Sequence, residues 1–269
     1  SLPANLQGVW TQYDFSPWSG GYWHNINIQM NYWHVFNTNL SELFNPYMEY
    51  NETFRKAGVQ KAIDYITRHN PTALNPINEE NGWTIGTGAT AFNIEAPGGH
   101  SGPGTGGFTT KLFWDYYDFT RDTQLLKEHV YPALLGISKF LSKTLKEQPD
   151  GTLLVDPSFS PEQKHNKQYY RTKGCIFDQS MILETYQDLL KAAKILNSRD
   201  PFLKTVKEQI GKLDAIKIGE SGQIKEFREE TKYGEIGEYT HRHISHLCAL
   251  YPGTTINNNT PEWMKAAII

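Results

Sequence analysis

Apolar residues in this chain recur at helical spacing and almost nowhere alternate. That limits the chain to architectures in which helices pack on helices. The clearest run is Asp178 to Asn197, where Ile182, Tyr186, Leu189, Ala193 and Leu196 share a face. Glu52 to His69 repeats the pattern with Phe54, Val59, Ala62, Ile63 and Ile66. Helices are also expected over residues 108–121, over 123–146 with an interruption at Pro132, and from the capping residue Asp200 and Pro201 to about Leu213. Shorter helical pieces are expected at 222–230 and 243–251, and another opens at Pro261. Leu153 to Val155 is at most a short strand. Long polar stretches separate the helices, above all 70–106, whose Gly-rich end, continuing to Gly107, suits the mobile rim of a cleft. The expectation is one all-α domain over residues 1–269, with long polar loops gathered at one end. Bundles, solenoids and rings of helical hairpins all give this pattern.

A chain of 269 residues buries enough surface to need no disulfide or metal staple. Cys175 and Cys248 are therefore either reduced core residues or one optional bridge. Twenty-six basic against 29 acidic residues leave no electrostatic footprint for nucleic acid or an anionic membrane. No run approaches the ~18 apolar residues of a membrane span, and no basic-then-apolar leader opens the chain. Both ends read as cuts through a longer protein, and compartment and oligomeric state stay open. The mean hydropathy of −0.56 comes from neutral polar residues rather than charges, beside a 13% aromatic content. Aromatics mixed with amides and hydroxyls suit neutral polar ligands, of which sugars are the commonest.

Three clusters could carry chemistry. In Trp23-His24-Asn25-Ile26-Asn27-Ile28-Gln29-Met30-Asn31-Tyr32-Trp33 the carboxamides of Asn25, Asn27 and Gln29 alternate with apolar residues. An extended segment would place them on one face, and carboxamides both donate to and accept from hydroxyls. The bland alternative is a polar loop satisfying its own backbone. In Asp156-Pro157-Ser158-Phe159-Ser160-Pro161-Glu162 two prolines fix the chain around Glu162, as a positioned general acid requires, although a Pro-flanked surface turn has the same look. In His241-Arg242-His243-Ile244-Ser245-His246 four potentially cationic, hydrogen-bonding side chains fall within six residues. The His-x-His-x-x-His spacing is a ligand spacing, but the Asp and downstream ligands of the metallo-β-lactamase type are not evident, so no metal and no cofactor is expected. Glu226 is a further binding candidate, sharing an expected helix face with Gln223, and Asp178 is expected to cap its own helix.

The runs Ser1-Leu2-Pro3-Ala4-Asn5-Leu6-Gln7-Gly8-Val9-Trp10, Asn25 to Trp33 followed by Asn39-Leu40-Ser41-Glu42, Pro157 to Glu162, His241 to Leu247 and Tyr251-Pro252-Gly253 resemble, in order, the catalytic core of glycoside hydrolase family 95. The resemblance covers nearly the whole chain. It implies part of an (α/α)6 toroid-type barrel and a 1,2-α-L-fucosidase or, as in some members, an α-L-galactosidase. The substrate so implied is a fucosylated oligosaccharide or glycan. It further implies that Glu162 is the general acid and that Asn25 and Asn27 hold the attacking water. Arg242 and His243 then contact the sugar, with His241, Glu226 and Trp33 as further sugar-binding candidates. An amide is too weak a base to act alone, and the resemblance places its carboxylate partner in a motif beyond Ile269. Phe227 stands where Trp is common, and Gly106-Gly107-Phe108-Thr109 replaces a bulkier aromatic stretch; both bear on sugar preference. Two other readings remain: a sugar-binding or structural fragment without turnover, and an α-barrel metalloenzyme.

Overall fold

The computed structural model describes residues 2–7 and 12–269, so Ser1 and the Gly8-Val9-Trp10 end of the opening motif lie outside the described residues. Helix α1 (Asn45–His69) begins about two turns before its clear apolar period, with Pro46 in the first turn, where its missing N–H is no loss. Its buried face runs Tyr47, Tyr50, Phe54, Gly58, Ala62, Tyr65, Ile66. Helix α2 (Gly104–Thr120) is buried on almost every side. It tolerates that with three threonines because Thr109 Oγ1 donates to the Thr105 carbonyl at 2.9 Å and Thr110 Oγ1 to that of Gly106 at 3.1 Å. The turn Gly104–Gly107, expected as loop, is the start of this helix and is fully packed.

After a left-handed residue at Arg121 the Asp122 carboxylate caps a new start, accepting from Gln124 and Leu125. The interruption expected at Pro132 takes the form of a π-helical turn, Leu126–Val130, leading into α3 (Tyr131–Ser142). A wider turn relieves the clash that the proline ring makes with the preceding turn of an α-helix. Strands β3 (Leu145–Glu147) and β4 (Leu153–Val155) form a small antiparallel hairpin closed at Gly151, with φ +85°. Earlier in the chain β1 (Tyr22–Trp23) pairs with β2 (Gly88–Ala89), and later β5 (Lys164–His165) pairs with β6 (Gln168–Tyr169). Helix α4 (Ile176–Ile195) is buried like α2, α5 (Phe202–Ile210) follows Asp200, whose carboxylate accepts from Phe202 N, and α6 (Pro261–Ile268) closes the described chain.

Helices α2, α3 and α4 pack on one another, and α5 packs on α3 and α4. Tyr47 Oη donates to the Thr109 carbonyl at 2.9 Å, and Tyr65 meets Phe140 edge-on at 5.5 Å; these contacts bring α1 onto the same core. The enclosed α2 and α4 form an inner layer, with α1, α3 and α5 outside, each burying one face. Between the inner helices Lys111 is ion-paired to Asp188 at 2.8 Å and Glu184 at 3.2 Å, all three side chains nearly inaccessible. Two helix expectations fail. Residues 222–230 form turns, because the Glu230 carboxylate collects the amides of Glu226 and Phe227 that a helix would have used internally, along with those of Gly234 and Ile236 beyond it. Residues 243–251 hold only a 3-10 turn, Ser245–Leu247. Cys175 and Cys248 are both free thiols, and burial pushes both upward in pKa. Among the described residues no helix is long and apolar enough to cross a membrane.

Candidate active site

The two inner helices meet at their N-terminal ends through one carboxylate. Asp178, in the first turn of α4, was expected to cap its own helix. Instead its Oδ1 accepts from Gly104 N at the head of α2 (2.7 Å), while Oδ2 accepts from Ser158 Oγ (2.6 Å) and Phe159 N (3.2 Å). Burial pushes this carboxyl up to about 6, against the pull of those donors. Gly102 makes the approach possible, because a Cβ there would lie 2.0 Å from Asp178 Oδ2.

The loop so anchored is fixed residue by residue. Ser158 exchanges two backbone hydrogen bonds of 2.9 Å with Thr172. Gly102 N donates to the Phe159 carbonyl at 2.9 Å. Ser160 Oγ donates to Glu226, and Ser245 Oγ donates to the Pro161 carbonyl at 2.9 Å. This network presents Glu162. Its Oε1 accepts from Asn25 Nδ2 and its Oε2 from Arg242 Nη2, both at 2.7 Å. Burial works to raise the Glu162 carboxyl, but the hydrogen bonds from Asn25 and Arg242 and the charges of Arg242 and His243 outweigh it and hold it below its ordinary value.

Glu162, Arg242 and His243 open onto a cleft of about 440 Å³ together with Asn27, Trp23, Trp18, His100, Tyr169 and Leu6. Burial, then the neighbouring Arg242 charge, lowers the His243 imidazole, and its Nδ1 has no partner among the described residues. The indole Nε1 of Trp23 is likewise unpaired. A mouth of aromatic faces beside an amide, a guanidinium and a carboxylate suits hydroxyl-rich rings.

Four of the eight expected residues line the cleft, Glu162, Asn27, Arg242 and His243, and Asn25 joins them from behind through its hydrogen bond to Glu162. Three do not reach the cleft. Glu226 lies behind the Glu162 loop, bonded to Ser160 and to His246 Nδ1 (2.9 Å). The His241 side chain is 3% exposed and accepts from His243 N at 3.0 Å, so it props up its neighbours. Trp33 lines a separate apolar chamber of about 230 Å³ with Asn25, Phe108, Phe177 and Tyr251. The carboxamide face also breaks down. Asn27–Met30 is a helical turn, in which residues two apart diverge. Gln29 accordingly turns inward to the His24 carbonyl (2.6 Å), and Met30 faces outward. Among the described residues no three His, Cys, Asp or Glu side chains are placed to hold a metal ion.

Sequence reasoning missed His100 and Tyr169. The one signal for Tyr169 was the polar pair Asn166-Lys167, whose left-handed backbone (φ +51° and +66°) turns the β5–β6 hairpin and returns the tyrosine to the cleft. His100, 4.8 Å from the Tyr169 ring, sat unread inside the glycine run.

The glycosyl hydrolase family 95 catalytic domain matches residues 1–269. Relatives include "Probable alpha-fucosidase A" of Aspergillus niger, 35% identical over 96% of this chain and 32% of its own length. "Alpha-L-fucosidase 2" of Arabidopsis thaliana is 30% identical over 98% of this chain and 31% of its own. The chain thus spans about a third of these relatives. Among solved structures, "Putative kojibiose phosphorylase from human microbiome" superposes with a TM-score of 0.52 at 13% identity, over 83% of this chain and 29% of the other. That likeness concerns the fold alone and identifies the two helical layers as part of an (α/α) barrel.

Proposed function

The chain belongs to glycosyl hydrolase family 95, and from that premise we propose that it carries the acid side of an exo-acting α-L-fucosidase, hydrolysing terminal α1,2-fucosyl linkages with inversion. The observation that carries the reading is the convergence of Glu162, Asn27, Arg242 and His243, drawn from three distant segments, on one cleft with aromatic walls, with Asn25 hydrogen-bonded to Glu162. The relatives' names supply the sugar.

In this reading the sugar stacks on the aromatic wall, and Arg242 and His243 donate to its hydroxyls. Protonated Glu162 gives its proton to the glycosidic oxygen as the C1–O bond breaks. A water held by the carboxamides of Asn25 and Asn27 attacks C1 from the opposite face, and its proton passes to the carboxylate partner that the resemblance places beyond Ile269. Inversion follows from attack opposite the leaving group.

Time-resolved proton NMR of the chain with 2′-fucosyllactose tests this. Release of β-L-fucose before its anomer is the expected result. Appearance of α-L-fucose first would overturn inversion, and absence of fucose would overturn turnover by this chain.

A further inference from the structure

In the resting structure the groups assigned to the sugar and to the water are both engaged by the acid. Asn25 Nδ2 holds Oε1 and Arg242 Nη2 holds Oε2, each at 2.7 Å. A carboxyl that accepts strong bonds on both oxygens is held as the anion and has no proton to give. The two partners differ in freedom. Glu162 is 21% exposed, on a loop fixed through Ser160 and Pro161, whereas Arg242 is 65% exposed in a segment outside any helix or strand.

We propose that Arg242 is an exchangeable counter-ion of Glu162: a neutral pyranoside entering the cleft draws the guanidinium onto its hydroxyls, and the freed carboxylate takes one proton from solvent and becomes the acid. The inference rests on the fucosidase reading and adds to it the step that arms the site. The balance closes. The Arg242–Glu162 ion pair breaks, a solvent proton binds Oε2, that proton leaves with the departing alcohol, and Arg242 re-forms its pair when the product goes. The other titratable groups facing Glu162 are His243 and His241 from the same segment as Arg242, His100 from the glycine run and Tyr169 from β6. Lys164, two residues along, is held over the Tyr169 ring at 4.9 Å. Arg242 alone of these is ion-paired to the acid. The depressed carboxyl agrees with the geometry, since at neutral pH the resting group is in the wrong state to protonate a leaving oxygen.

The test is a carbon-13 titration of glutamate carboxyls in the chain, with Glu162→Gln assigning the resonance. In the free protein, Arg242→Gln should raise the Glu162 midpoint by about 1–3 pH units, and Arg242→Lys should restore most of it. In the wild type, saturating L-fucose should produce a rise of similar size, with little further change in Arg242→Gln. Calorimetry in buffers of different ionisation enthalpy should show proton uptake on fucose binding that is lost in Glu162→Gln. An unmoved midpoint in Arg242→Gln overturns the counter-ion role. A fucose-bound spectrum with an unmoved midpoint overturns the exchange and leaves the fucosidase reading intact. Spectra that do not respond to fucose at all overturn both.

Discussion

At the scale of single residues, Glu162 is the position where one atom change separates acid chemistry from packing. Glu162→Gln keeps an oxygen for Asn25 and removes the transferable proton. It should slow 2′-fucosyllactose hydrolysis by about 10²- to 10⁴-fold and spare aryl fucosides with activated leaving groups. Equal losses on both substrates would remove the acid assignment. His24 makes a different prediction. It is buried against Tyr50, and burial, opposed by hydrogen bonds at Tyr22 and Thr87, lowers its imidazole from 6.5 to about 4. The unfolded chain therefore binds the proton first, so stability is intact above pH 6.5 and falls by about 3 kcal/mol as pH drops toward 4. Urea unfolding across that window should show the slope, and His24→Phe should flatten it. Glu162 and Asn25 were legible because motif and chemistry coincide there. Glu226 and His241 were misplaced because a polar residue that supports a site has the same side chain as one that lines it. Only burial separates the two.

At the scale of elements, the joint between α2 and α4 decides how firmly the acid is held. Gly102→Ala would press a methyl against Asp178 and costs about 1–3 kcal/mol, a fall of about 2–4 °C in Tm per kcal/mol. Calorimetry and activity should decline together, since the same carboxylate holds the Glu162 loop. A melt unchanged from wild type would show that the seam yields without cost. Element prediction succeeded where periodicity was long, as in α1 and α4. It failed at 222–230, where Glu230 supplies by side chain what a helix supplies by backbone, and at Gly104–Gly107, where glycines that signal loop in a sequence instead let two helix ends touch Asp178 and Met181.

At the scale of the whole molecule, the inner layer is held by charge as well as by apolar packing. Lys111→Met would leave the buried Glu184 without a cation and Asp188 with only Lys191, at a cost of about 3–5 kcal/mol at neutral pH. The deficit should shrink as pH falls, because protonation relieves carboxylates whose folded-state pKa has risen. Denaturant unfolding at pH 7 and pH 4.5 measures both, and a deficit that does not depend on pH would refute this account. The long helices could be read from the sequence. The ring arrangement could not, because periodicity identifies a buried face without naming the helix that covers it; that step came from resemblance. The shared carboxylate of Asp178 also has a bearing on motion. The amides of Gly104 and Phe159 both donate to it, one at the head of a barrel helix and one in the loop that bears the acid. They should exchange with deuterium at a common rate, so that the excursions exposing the acid loop and those loosening the barrel seam are a single event.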